Sequence, residues 1–193
     1  MFGFSFITLF TAMLISKDRT TSLLIRLGIS PMKSIDYILG YMLSIIPIIL
    51  IQNILFFILA ITLGLSFSIS IIWTILISII IAILFIAIGI IIGSIASEKA
   101  SSGISSIIVQ LVCFTSGMYF PMEALGKGFG TVCKYLPFES CLTILKGIMN
   151  NTLEIITTRN IIVFVIYTIA ILAVSVIIFN RKMEDFKLWR IKN

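Results

Sequence analysis

From Tyr37 to Ser97 the chain carries no Asp, Glu, Lys or Arg, an interval of 61 residues. A hydrocarbon core about 30 Å thick takes about 20 helical residues to cross, so the interval is too long for one crossing and right for two. The small and polar cluster Gly64-Leu65-Ser66-Phe67-Ser68 near its middle is where the chain is expected to fold back. Further uncharged stretches lie at Met1–Ser16, Ala100–Met122 and Asn160–Asn180. The pattern predicts five spans, near 1–16, 37–63, 70–96, 104–120 and 161–180. Every span is expected to be helical, because a lone strand in lipid leaves its backbone hydrogen bonds unmade. The Ile- and Val-rich runs would read as strands in water; here length overrules that propensity. The expected class is therefore all-α, a polytopic helical membrane protein forming one domain over residues 1–193.

Composition agrees: 60% of residues are hydrophobic and 11% charged, and the mean hydropathy is +1.22, so lipid takes the place of a soluble core. The charges then set orientation. Lys17, Arg19, Arg26, Lys33, Lys99, Arg181, Lys182, Lys187, Arg190 and Lys192 fall on one side of the predicted membrane, and Lys127, Lys134, Lys146 and Arg159 on the other, ten of the 14 cations against four. That bias puts the 17–36 loop, the 97–103 loop and the C-terminal tail in the cytoplasm, and the protein in the cell's cytoplasmic membrane. The net charge of +6 is mostly this topological signal; the cations flank helices and form no basic domain, so nucleic acid is not an expected partner. Five spans with an internal C-terminus place Met1 outside. Residues 1–16 have no basic start and no small-residue cleavage site, so they are no secretory signal. Three readings stay open: a longer natural chain with a further span before Met1, the second part of a split or truncated gene, or five spans with a translocated N-terminus.

Two regions outside the spans can carry function. In Lys17-Asp18-Arg19-Thr20-Thr21-Ser22-Leu23-Leu24-Ile25-Arg26-Leu27-Gly28, the leucines recur at helical spacing with Arg19 and Arg26 toward another face. Gly28 reads as a helix stop and Ser30-Pro31 as the start of the next helix. A short amphipathic helix at the membrane surface is expected, which by periodicity alone is a passive interfacial element as readily as a working one. On the other side, Pro121 is expected to end the fourth span. Two apolar stretches, Pro121 to Pro137 and Phe138 to about Asn150, are each too short to cross and fit a pair of half-helices within 121–158 that dip into the outer leaflet or lie along it. Glu123 and Glu139 each sit at a half-helix start, where they either cap the dipole or face a gate.

Other features matter less. Gly89 and Gly93 form a Gly-x-x-x-Gly in an apolar helix, suited to close packing on a helix of the same chain or on a second copy. Gln52, Asn53 and Gln110 are expected to face the bundle interior, and Pro47 to kink its helix. No acidic or basic residue lies in a predicted span, which disfavours an ion-coupled carrier. A disulfide between Cys133 and Cys141 is conceivable. The chain contains no His, so no catalytic residue, metal site or bound cofactor is expected, and Gly126-Lys127-Gly128 lacks the spacing of a phosphate loop.

The segments from Lys17 to Tyr41, Ser116-Gly117-Met118-Tyr119-Phe120-Pro121-Met122-Glu123-Ala124-Leu125, Leu136-Pro137-Phe138-Glu139 and Leu145-Lys146-Gly147-Ile148 together resemble the membrane subunit of ABC-2-type ATP-binding-cassette exporters. That family usually shows six spans, with one ahead of the position of Met1 here. It usually has Gly-Thr where this chain has Thr20-Thr21, and Gly-Lys where it has Gly40-Tyr41. The resemblance implies a permease that is not itself an enzyme, moving a drug, lipid-like, peptide or glycan cargo outward by alternating access. It implies that 17–31 is a coupling segment, with Arg19, Thr21, Leu24, Arg26 and Ser30 the candidate contacts to a cytosolic ATPase that binds the ATP. It implies an outer gate around Pro121, Glu123, Pro137 and Glu139, with a second permease subunit, identical or not, and membrane lipids as further partners. The alternative from another class is a non-transporting immunity or scaffold protein of the membrane.

Overall fold

The structure is a computed structural model that describes residues 1–20, 34–119 and 127–192. Among them it is helical with no strand. Seven α-helices follow one another among the described residues: α1 Phe2–Thr20, α2 Ser34–Thr62, α3 Ile69–Ile95, α4 Glu98–Thr115, α5 Lys127–Tyr135, α6 Pro137–Met149 and α7 Thr158–Lys192, with a 3-10 turn at Leu153–Ile155. Among the same residues three stretches are long and apolar enough to cross a membrane, Ile35–Thr62, Ile69–Ile95 and Thr158–Lys182. The chain is an all-α polytopic membrane protein. The other two expected spans correspond to α1, which ends in Lys17, Asp18 and Arg19, and to α4, which begins with Glu98 and Lys99.

The α2–α3 fold-back is built as a helix stop followed by a cap. Gly64 takes a left-handed φ of 105°, open to glycine at no Cβ cost. The Gly64 N–H then donates to the Ile61 carbonyl at 3.0 Å and the Leu65 N–H to the Ala60 carbonyl at 3.0 Å, the paired bonds that close a helix C-terminus. Ser68 is extended and its hydroxyl accepts from the Ser70 N–H at 3.4 Å, which starts α3. Pro47 sits inside α2 without dividing it.

Three expected boundaries change. The 97–103 segment is no loop: Ala96 and Ser97 make an extended corner, the Ser97 hydroxyl accepts from the Ala100 N–H at 3.4 Å, and α4 begins at once with Glu98. At its other end α4 stops at Thr115, where Gly117 takes a φ of 74°. Gly117 thus ends the helix upstream of Pro121, which lies outside the described residues. Finally, α1 runs on to Thr20, so Lys17, Asp18 and Arg19 form its last turn. The remainder of the expected amphipathic helix lies outside the described residues.

Burial identifies the centre. Of the most apolar stretch of α3, 56% is buried, against 11% for α2 and for α7, so α3 is the core helix and the other two present most of their surface outward. Alongside the second half of α3 lies α1, running in the same direction. Phe4 stacks on Phe85 at 5.5 Å between ring centroids, and the Thr8 hydroxyl donates to the Phe85 carbonyl at 3.0 Å. A Cβ added at Gly89 would stand 2.6 Å from Thr11 Cβ, and one at Gly93 2.7 Å from the Ala12 carbonyl oxygen. The Gly-x-x-x-Gly face is therefore a seam within the chain. Asn53 ties α2 to α3, its Nδ2 donating to Ser78 Oγ at 2.6 Å, and Gln52 packs over Gly3. Gln110 departs from expectation: the buried face of α4 is Ser101, Ser105, Val109 and Val112, which leaves Gln110 exposed.

The seam makes a prediction. Gly93→Ala forces two backbones apart and should cost roughly 1–3 kcal/mol, lowering the thermal midpoint of the purified protein in detergent. Gly103→Ala, at a helical glycine facing open space, should leave that midpoint equal or higher.

Candidate functional site

The last turn of α1 is fixed on two sides. An Arg19 Nη donates to the Gly93 carbonyl at 3.0 Å and to the Ala96 carbonyl at 3.3 Å, at the C-terminal end of α3. Those carbonyls have no partner further along their own helix and carry its negative dipole end, so a cation is favoured there. Burial lowers the Arg19 pKa from its ordinary value, yet a guanidinium starting so high keeps its charge. On the other side the Tyr41 hydroxyl donates to the Asp18 carboxylate at 2.9 Å, which joins α1 to α2. Neighbouring residues of one turn thus hold three helices together, directly before the segment containing Thr21, Leu24, Arg26 and Ser30. Those four lie outside the described residues.

The second region is the α5–α6 pair. Leu136 is extended, as the residue before a proline prefers, its N–H donates to the Cys133 carbonyl at 3.0 Å, and Pro137 occupies the first turn of α6. Phe138 lies against Phe85 at 6.0 Å between ring centroids. Phe85 is 16 residues beyond Ile69, about 24 Å along an α3 of about 40 Å. Past the other end of α6, the Ser70 hydroxyl donates to Asn151 Oδ1 at 2.8 Å, at the very start of α3. So α6 runs from beyond the middle of α3 back to its beginning, and the hairpin apex is re-entrant. Irregular backbone at such depth is tolerated only under protein cover, which Pro137, Phe138 and Cys141, all buried, provide.

This depth carries Glu139 with it. Its place in the first turn of α6 suits the helix dipole, yet its Oε2 is buried and has no hydrogen-bond partner, as is true of the adjacent Ser140 Oγ. No Asp, Glu, Lys or Arg lies in the apolar middle of the long helices; the structure brings a carboxylate well along α3 on a half-helix instead. The signal in the sequence was Leu136-Pro137-Phe138-Glu139, which marks a turn but not how far in the turn lies. Pro121 and Glu123 lie outside the described residues.

The cysteines 113, 133 and 141 are all free and buried, so Cys133 and Cys141 are not joined. Among the described residues no group of three or more His, Cys, Asp or Glu side chains could hold a metal ion. A third polar feature is the outward face of α4, where Gly103, Ser106 and Gln110 are exposed at helical spacing.

A family model described as ABC-2 type transporter matches residues 1–150. It spans α1 to α6, including the α1–α3 seam and the re-entrant pair. The searches of curated proteins and of solved structures give no match.

The α1 anchor can be tested apart from any activity. Arg19→Ala removes the donor from two α3 carbonyls, and Tyr41→Phe removes one hydrogen bond to a carboxylate; each should lower stability by roughly 1–2 kcal/mol. Thermal unfolding of the purified protein is the measurement. An unchanged midpoint in both variants would mean that these contacts do not hold the three helices together.

Proposed function

The chain belongs to the ABC-2 type transporter family, and from that we propose that it is the permease subunit of an ATP-driven exporter. As a member it is a membrane component of an ABC transporter, and the family implies an ATP-binding-cassette partner in general. The finer reading is that a separate cytosolic ATPase docks on the segment following α1, with Arg19, Thr21, Leu24, Arg26 and Ser30 at or beside the contact. The Asp18–Tyr41 and Arg19–α3 bonds then carry its motion into the bundle. Two permease subunits pair, and cargo leaves across the cytoplasmic membrane with the C-terminal tail of each subunit inside. Outward release passes the hairpin, with Pro121, Glu123, Pro137 and Glu139 at the gate. No cofactor is held by this chain; the ATP is the partner's.

The observation that carries this reading is the family match over residues 1–150. The polar face of α4 adds physical support. An amide such as Gln110, exposed on a helix this apolar, is poorly served by lipid and well served by a wet path or a facing subunit. Because the predicted spans carry no Asp, Glu, Lys or Arg, the cargo is read as amphipathic, within the range of drugs, lipid-like molecules, peptides and glycans.

Affinity capture of the tagged protein in mild detergent should recover an ATPase with a phosphate-loop motif. Leu24→Asp or Arg26→Glu should reduce that recovery severalfold while leaving the protein inserted; capture of the intact protein without an ATPase would favour a non-transporting scaffold or immunity role. The path is tested separately. With the native cysteines buried, Gln110→Cys should react with a membrane-impermeant maleimide at a rate that changes when ATP is added to the assembled complex. A thiol that stays unreactive in both conditions would place Gln110 against lipid, off the path.

A further inference from the structure

Between the start of α3 and the turn after α6 lies a cavity of about 370 Å³, lined by Ser70, Trp73, Ile77, Ile148 and Asn151. Its rim is polar and fixed. Asn151 accepts from the Ser70 hydroxyl while holding a left-handed φ of 54°, a conformation asparagine tolerates better than most residues. The turn beneath it is closed by the Asn150 N–H donating to the Lys146 carbonyl at 3.0 Å and the Thr152 N–H to the Gly147 carbonyl at 2.9 Å.

Polarity then falls with depth. Between Ser70 and Ile77 the helix advances about 10 Å, and the lining passes from a hydroxyl to an indole and an isoleucine. On the facing wall it passes from the Asn151 amide to Ile148. The recess also opens from a lipid-facing surface: Ile69, Ile72, Trp73, Leu76 and Ile80 are all exposed at the spacing of one helical face.

We infer that this recess is a binding site for one phospholipid of the leaflet at the α2–α3 turn. An acyl chain lies along Trp73, Ile77 and Ile148, and the ester or phosphate oxygens take donors from the Asn151 amide at the rim. A wholly polar ligand would leave the walls unfilled, and a hydrocarbon alone would leave the rim without acceptors; an amphiphile satisfies both. Tryptophan at this depth matches the interfacial belt of membrane helices. The inference needs only a lipid-facing α3 and stands apart from the transport reading.

Trp73 is its own reporter. The chain has two tryptophans, Trp73 and Trp189, so Trp189→Phe leaves Trp73 as the only emitter. The purified full chain in detergent is titrated with phosphatidylcholine brominated along its acyl chain, and Trp73 quenching is followed. A saturable step at about one lipid per chain is expected, riding on the gradual quenching of a micelle. Ile148→Phe, or Ile77→Phe from the opposite wall, fills the recess and should abolish the step. Asn151→Gly keeps the left-handed turn without the amide and should raise half-saturation about fivefold, the loss of roughly one hydrogen bond. Quenching without a step, or a step that neither filling variant removes, overturns the site. A step lost on filling but indifferent to Asn151→Gly overturns the headgroup contact.

Discussion

Backbone donors and acceptors inside a bilayer have no water to turn to, and that constraint is met in different ways at several helix ends of this protein. Helix α2 stops on the paired bonds around Gly64, and α3 and α4 start on the hydroxyls of Ser68 and Ser97. The C-terminal end of α3 is met by a guanidinium from another helix. Hydroxyls within helices mostly follow the same rule by bonding back one turn, as Thr11 does to Ile7, Ser94 to Ile90 and Thr168 to Phe164. Thr8 reaches across instead, to the carbonyl of Phe85. The α1–α3 seam can be so close because Gly89 and Gly93 present no side chain to hold the backbones apart. Arg19 can reach the end of α3 only because that seam sets the register between the two helices.

Among the described residues, the buried side-chain oxygens without a partner fall on two helices. Ser101 and Ser105 on α4 and Glu139 and Ser140 on α6 have buried oxygens without partners, and exposed Gln110 is also on α4. A buried hydroxyl without a hydrogen bond costs roughly 1–3 kcal/mol and a charged group more, so three such hydroxyls and one carboxylate oxygen on two helices are a concentrated destabilisation. Natural proteins retain such costs where an element must change partners. Among the described residues the other helices carry no such buried side-chain oxygen without a partner.

Much of this was legible in the sequence, and what was not has a physical reason. The 61 uncharged residues and the Gly64–Ser68 cluster foretell α2, α3 and their turn, because length and a helix stop are local properties. The two half-helices were visible in the same way, through Pro137 and the shortness of the flanking runs. Depth was not, because hydropathy reports whether a stretch is apolar and not what lies over it; only the Phe85–Phe138 contact shows the apex past the middle of α3. The corner at Ala96-Ser97 was misread as a loop because Glu98 and Lys99 read as solvent charges, whereas one serine cap lets a helix begin beside them. Arg19 was legible as a cation near a membrane boundary. That it holds the end of α3 depends on the α1–α3 register, a tertiary fact that no local pattern carries.

The position of Glu139 bears on how such a protein can be energised. The absence of ionisable residues from the spans removes the usual sign of ion coupling, but a carboxylate on a re-entrant half-helix could restore it. Proton relays need a succession of groups able to pass the proton on. The next residue after Glu139 offers a serine hydroxyl that is itself unpartnered, and α1, α3 and α7 bring no Asp, Glu or His into the apolar middle of their sequences. A single carboxylate at the apex of a hairpin is better suited to binding and release than to conduction. The junction at Asp18 and Arg19, bonded to α2 and to the end of α3, lies directly before the segment proposed above as the ATPase contact, where the energy of the proposed transport would enter.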